Sequence, residues 1–300
     1  MEVIMIGSIN LDETLRVSHL PMKGETQFVD SIDQAVGGKG ANQAVAAVRS
    51  GATVHFIGRI GADSIGQTLK AALVDTGVDT SGLKITPDTS SGRALIMVDT
   101  HGDNTISVVS GANQAVSATD TVDFDQADVV MATFETPIEA TIAAFKHAKA
   151  IGATTILNPA PAKAGVPDDL WALSDYVIPN ETETELMTGQ TPDTEANQQQ
   201  AAAWFFERGV AHVLMTLGDQ GVVIAAPGSQ SWVPAFKVTA IDATAAGDTF
   251  IGHLVAHLDE PLPEAVRFAS AAAALTVQTL GAQPAIPTAA AVEKFMEAQQ

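Results

Sequence analysis

The stretch Asp242-Ala243-Thr244-Ala245-Ala246-Gly247-Asp248-Thr249-Phe250 puts a carboxylate directly behind a run of small residues. Phe236 to Ile241 alternates like a strand and Phe250 to His257 has helical apolar spacing, so Ala245, Ala246 and Gly247 fall at a helix N-terminus. Bare amides and the positive end of the helix dipole suit phosphate oxygens or the charge of a phosphoryl group in transfer. Asp248 is then placed to take a proton from an attacking hydroxyl. A carboxylate is a weak base toward an alcohol, but phosphoryl transfer has a loose transition state that asks mainly for positioning and charge neutralisation. The competing account is a helix cap with alanines that only pack.

A second cluster, Gly37-Gly38-Lys39-Gly40-Ala41-Asn42, opens a helix that runs to Ser50-Gly51. Its glycines let backbone approach a ligand, and Lys39 and Asn42 project as donors from the first turn. The run is not a nucleotide phosphate loop, because G-x-x-x-x-G-K-[ST] is absent and no G-x-G-x-x-G follows the first strand. Asn10 and Asp12 follow the apolar run Val3 to Ile6, and Glu135 follows the run Asp128 to Ala132, all at what would be the carboxyl edge of a sheet. Each also fits a local role, an Asx turn for the first two and a dipole-complementing acid for Glu135. Asn180 and Glu183 have the spacing of a capping box, and Gly218 and Gly221 that of a hairpin turn after Thr216. His253 and His257 share a helix face, but the glutamate of H-E-x-x-H is missing. No G-x-S-x-G elbow and no aromatic-basic stripe for single-stranded nucleic acid is present.

The elements that must carry these residues alternate. Apolar strand runs at Val3–Ile6, Val54–Ile57, Asp128–Ala132, Thr154–Pro159 and from Val213 to the Gly218 turn alternate with helical patterns at 64–75, 137–150 and 262–280. This rhythm predicts an α/β fold with a parallel sheet. Residues 91–110 break it with a β-hairpin, and the half-polar chain at 24–36 joins them in a small sheet without a helix to cover it. Its uncovered face and edges want a partner.

Composition bounds the rest. Three hundred residues, 46% hydrophobic, suit one large α/β domain spanning 1–300. The chain has no cysteine, which fits a reducing compartment, and no signal or membrane segment is read at its N-terminus, so a cytoplasmic protein is expected. With 15 basic against 35 acidic residues the formal charge is −20, which opposes binding to nucleic acid or an anionic membrane.

The 242–250 stretch resembles, almost residue for residue, the D-T-x-[AG]-A-G-D-T-F signature of the ribokinase branch of the phosphofructokinase-B-type sugar kinases. Ala243 departs from its usual threonine. Gly-Gly-Lys-Gly-Ala-Asn-Gln-Ala resembles the N-terminal signature of the same branch, about two hundred residues upstream. The resemblance implies a three-layer α/β/α sandwich with a β-sheet lid formed from about 11–36 and 91–110. It implies transfer of a phosphoryl group from ATP to the 5-hydroxyl of ribose, with Asp248 as base and the amides of Ala245, Ala246 and Gly247 as anion hole. Asn10, Asp12, Gly38, Lys39, Asn42 and Glu135 would hold the sugar. Asn180, Thr216, Gly218, Gly221 and Ser270 would lie along ATP, the serine standing where an adenine contact, often histidine, is expected. Glu183 would order Mg²⁺ through water, from a motif that is equally a helix cap. No lysine or arginine lies between Lys237 and Arg267 to balance Asp242. The resemblance implies K⁺ instead, at Asp242, Thr244, Thr276, Thr279, Gly281 and Ala285. It also implies a homodimer joined through the lid sheet, with Arg93 at the interface. The rival functions are a kinase for another small sugar such as deoxyribose, and a non-catalytic sugar or nucleotide sensor.

Overall fold

The computed structural model describes residues 1–299. In chain order the elements are β1 (Glu2–Ile6), β2 (Asn10–Arg16), β3 (Ser31–Gly37), α1 (Lys39–Arg49), β4 (Thr53–Gly61), α2 (Ser64–Asp75), β5 (Leu83–Thr86), β6 (Gly92–Val98) and β7 (Asn104–Val109). Then follow β8 (Val129–Thr133), α3 (Ile138–Ile151), β9 (Thr154–Asn158), α4 (Asp168–Ala172), β10 (Tyr176–Val177), α5 (Glu181–Thr188) and α6 (Glu195–Phe206). The chain ends with β11 (His212–Thr216), β12 (Val222–Ala226), β13 (Ser229–Val233), α7 (Ala246–Ala256), α8 (Leu262–Thr276) and α9 (Ala289–Ala298).

Nine strands form the main sheet in the order β13-β12-β11-β10-β9-β8-β1-β4-β5. It is parallel except at β12 and β13, which add antiparallel as a hairpin after β11. The continuous apolar runs follow from burial on both faces. In β1, Val3 and Met5 enter the core beneath α1, α2, α7 and α8, whereas Ile4 and Ile6 enter the core beneath α3, α4 and α6. Each such side chain contributes roughly 1.5–3 kcal/mol, so the alternation of one strand ties three layers together. On the second face Trp171 is buried edge-on against Phe134, Trp204 and Phe205.

The second sheet has the order β3-β2-β6-β7. The hairpin of β6 and β7 lies where expected, paired from Arg93↔Val109 to Val98↔Asn104. Asn10–Arg16 is a strand, within the range of about 11–36 expected for this sheet, in place of the Asx turn that Asn10 and Asp12 fit locally; regular structure in the half-polar segment begins only at Ser31. Two expectations fail near the C-terminal half. Phe236 to Ile241 is no strand: β13 already closes that edge, and Phe236 packs instead against Phe295 beneath Arg267. α8 stops at Thr276 and not at Leu280, as a tight turn donates the Thr279 amide back to the Thr276 carbonyl at 3.1 Å. Among the described residues no helix is long and apolar enough to cross a membrane.

Candidate active site

The carboxyl ends of β1, β8, β9 and β11 open on one edge, and the sequence-predicted residues gather there. A cleft of about 180 Å³ is lined by Lys39, Asn158, Asn180, Glu183, Thr216, Ala245, Ala246, Gly247 and Asp248, among others. The start of α1 reaches this edge because Gly7 at the end of β1 and Gly40 meet backbone to backbone. A Cβ on Gly40 would lie 2.5 Å from Gly7 Cα.

Asp248 is buried, and both its oxygens accept hydrogen bonds from α1: Asn42 Nδ2 donates to Oδ2 at 3.1 Å and Gln43 Nε2 to Oδ1 at 3.0 Å. α7 begins behind Ala245, whose φ of 60° lies in the left-handed region, at roughly 1–2 kcal/mol for a residue with a Cβ. That turn aims the helix N-terminus into the cleft. Of the three expected anion-hole amides, Ala246 is a correction: its N–H donates to the Ala243 carbonyl at 3.2 Å. The first turn of a helix leaves amides unpaired, and here the Gly247 amide has no protein acceptor among the described residues. A Cβ on Gly247 would meet nothing within 4 Å. Packing therefore does not demand glycine there, and the Gly247 amide is left bare at the cleft.

Lys39 carries the one cationic side chain that lines the cleft. Asp248 first, against the cost of burial, and then Glu135 and Glu183 hold its ammonium above the usual lysine range. Glu135 accepts the Lys39 amide at 3.0 Å and the Ser8 hydroxyl, pinning the turn before α1 to the end of β8. Gly38 caps the same helix with φ 89°. Asn10 gives its carbonyl oxygen to Asn113 Nδ2 at 2.8 Å, leaving its own amide nitrogen to donate outward. Asp12 lies over the backbone of Gly37, where a Cβ would come within 1.9 Å of its carboxylate. Burial, then the charges of Glu135 and Asp248, push its carboxyl up to about 7. The Asn42 Oδ1 is buried and has no protein donor.

On the other side Asn180 and Glu183 form the expected capping box, the Asn180 amide donating to Glu183 Oε2 at 2.9 Å. Burial, opposed by the Asn180 amide and Lys39, leaves the Glu183 carboxyl above its ordinary value. A buried carboxylate in that state fits an outer role toward a divalent cation. Among the described residues no group of three or more His, Asp or Glu side chains is placed to hold a metal ion. Gly218 and Gly221 lie in the turn after Thr216, outside the lining just given. Ser270 is not brought to the cleft: its hydroxyl donates to its own helix at Val266, 2.8 Å away.

Asp242 joins two loops. Oδ1 accepts from the Thr244 amide and hydroxyl at 2.9 and 2.6 Å, and Oδ2 accepts from the Gly281 amide at 2.9 Å. The hydrogen-bonded account of this carboxylate thus holds without any cation. The oxygen-only donor set of Asp242, Thr244, Thr276 and Thr279 is also that of a hard cation. Thr276 Oγ1 itself lies 3.1 Å from Thr249 Oγ1, inside the fold, and Ala285 is buried and brings no hydroxyl. The His253–His257 pair is no metal site: His253 is buried with Nδ1 3.0 Å from the Thr249 carbonyl, and His257 lies over Phe268.

Sequence reasoning missed Gln43, Asn158 and Asn113. Gln43 stood within the quoted signature, but nothing local indicated that it reaches Asp248.

A buried carboxylate at the mouth of a helix N-terminus, on the carboxyl edge of a parallel sheet beside a lysine-bearing glycine turn, is the arrangement of a small-molecule kinase of the α/β class. The chain belongs to the pfkB family of carbohydrate kinases, whose model matches residues 1–289. It is 42% identical to a ribokinase of Staphylococcus aureus (strain COL) over 294 residues, 95% of this chain and 96% of that one. It is 40% identical to a ribokinase of Haemophilus influenzae over 299 residues, covering 98% and 97%. The structure of Arabidopsis thaliana ribokinase complexed with ribose and ATP superposes with a TM-score of 0.92 at 30% identity, covering 99% and 98% of the two chains.

Proposed function

We propose that this protein phosphorylates D-ribose at its 5-hydroxyl, using ATP. The observation that carries the reading is the position of Asp248, held by Asn42 and Gln43 on the sugar side and adjoining the open Gly247 amide on the phosphate side. Asp248 accepts the hydroxyl proton, the sugar oxygen attacks the γ-phosphorus in line, and the bond to ADP breaks. The Gly247 amide, the α7 dipole and Lys39 balance charge that gathers on the transferred group. Asn10, Asp12, Gly38, Lys39, Asn42 and Glu135 hold the sugar. Asn180, Thr216, Gly218 and Gly221 border the nucleotide, the glycines from the turn beyond the cleft. Mg²⁺ supplies charge neutralisation at the phosphates when bound, and Glu183 would orient its water. K⁺ would sit between the Asp242 and Gly281 loops and steady them.

The second sheet is read as a lid over the sugar and as the contact surface of a homodimer. Ile106 and Val108 on β7 are 56% and 58% exposed and, by the strand register, share one face of the sheet with Ile96 and Ala94 of β6, an apolar strip. Arg93 is bound within this sheet to Glu13. The absence of cysteine supports a cytoplasmic setting.

The test is ADP release across ribose, 2-deoxyribose, nucleosides and sugar phosphates, with the product's phosphorylated carbon located by ³¹P–¹H NMR. Ribose should give the highest kcat/KM and a 5-phosphate. A clear preference for 2-deoxyribose, or no turnover with any of these, would overturn the assignment.

A further inference from the structure

Gln43 has no exposed surface, and its Nε2 makes two hydrogen bonds, 3.0 Å to Asp248 Oδ1 and 3.1 Å to Asn158 Oδ1. Asn158, the last residue of β9, donates from Nδ2 to the Ile178 carbonyl at 2.9 Å. The far end of this chain fixes its direction. A backbone carbonyl only accepts, so Asn158 must turn its nitrogen to Ile178 and its oxygen to Gln43. Gln43 must then face both acceptors with its nitrogen, since the opposite flip would set oxygen against oxygen twice. The result leaves Gln43 Oε1 buried with no partner, an arrangement that folded proteins seldom keep. A methionine would fill the same space without that orphan. Glutamine is therefore suited to this position by its two donors rather than by its packing.

We infer that Gln43, with Asn158 behind it, is a positioning residue that sets the rotation of the Asp248 carboxylate, so that a free lone pair faces the incoming hydroxyl. The inference rests on Asp248 being the base. Gln43 has no exposed surface and so touches no substrate. Its neighbour Asn42 keeps 6% of its surface exposed. The sheet, through Ile178 and Asn158, and the helix pair α1 and α7, through Gln43 and Asp248, are thereby locked to one another at the reacting atom.

Gln43→Met keeps the side-chain length and removes both donors. We expect kcat to fall about 10²-fold, the scale of a misplacement of about 1 Å, while KM for ribose and for ATP stays within about twofold. In an Asp248→Asn background the same substitution should have no further effect on kcat, because the group it positions is gone. A kcat within about threefold of the unsubstituted protein, a loss carried by KM, or an equal fall in both backgrounds would each overturn the inference. If thermal melting shows Gln43→Met to be unfolded, Asn158→Ala replaces it, since Asn158 borders the cleft and water can enter the gap. It should also lower kcat and lose its effect on kcat in the Asp248→Asn background; an additive effect there would overturn the inference. A protein that phosphorylates no sugar before substitution overturns both this and the proposed function. An active protein indifferent to these changes overturns only this one.

Discussion

Gly252 lies four residues beyond Asp248, on the face of α7 that packs against α1. A Cβ built there comes 2.4 Å from Ala46 Cβ, 2.5 Å from the Gln43 carbonyl oxygen and 2.7 Å from the Ala47 nitrogen. Ordinary contact begins at 3.4 Å, so Gly252→Ala must push the helices apart by about 1 Å, and two of the three obstructing atoms are backbone that cannot rotate away. Two effects on stability compete. Alanine gains about 1 kcal/mol of helix propensity, whereas overpacking a rigid contact costs about 1–3 kcal/mol. With backbone in the way the upper figure applies, for a net loss of about 2 kcal/mol and a Tm about 3 °C lower. The catalytic effect should be larger in proportion. The atoms displaced belong to the turn of α1 that carries Asn42 and Gln43, the two donors to Asp248. A shift of about 1 Å at reacting groups can cost about 10²-fold. Thermal melting followed by circular dichroism and a coupled assay for ADP would measure both. A Gly252→Ala protein that melts higher than the unsubstituted one and keeps its kcat would refute this account of the α1–α7 contact.

Asp248→Asn should lower kcat by at least about 10²-fold while ribose binding, measured by calorimetry, persists; near-normal turnover would remove Asp248 from the chemistry. Asp12 provides a pH test. Its folded carboxyl is raised to about 7 from 3.8, so between those values the folded state holds a proton that the unfolded chain has lost, and stability from this group declines as pH rises across that window. The Tm difference between Asp12→Asn and the unsubstituted protein should accordingly increase from pH 5 to pH 8, and a difference independent of pH would contradict the burial of this carboxylate. Glu183→Gln should change the Mg²⁺ concentration needed for half-maximal rate; an unaltered Mg²⁺ profile would leave Glu183 as a helix cap only. Rates at matched ionic strength in KCl, NaCl and tetramethylammonium chloride should be highest in KCl, with Asp242→Asn abolishing the difference, and equal rates in all three would exclude the cation site.

What the sequence made legible was short-range. The capping box of Asn180 and Glu183, the glycine turn ahead of Lys39 and the bare start of α7 are each written in fewer than ten consecutive residues, and the structure forms all three. The continuous apolar strands were legible for the same reason, since burial on both faces leaves no polar positions to confuse the period. Errors arose where pairing partners decide. Asn10–Arg16 contains only Leu11 and Leu15 as apolar residues and does not read as a strand, yet between β3 and β6 it is fully paired. Phe236–Ile241 alternates convincingly and pairs with nothing, its Ile241 amide bonding instead to the Val277 carbonyl at 2.7 Å.

The same distinction divides the site itself. A bare helix end is a local feature, so a signature of nine residues can announce it. The orientation of the Asp248 carboxylate is a property of groups far apart in the chain: Gln43 meets Asp248 across 205 residues and Asn158 across 115. No local spacing can encode that meeting. A buried amide also looks in sequence like any polar residue on a helix, and only the direction forced by the Ile178 carbonyl turns it into a donor aimed at the Asp248 carboxylate. The open end of α7 is therefore readable from one segment, whereas the setting of Asp248 depends on the packing of α1 against α7, and that is why, if Asp248 is the base proposed above, a single methyl group at Gly252 is expected to slow the reaction.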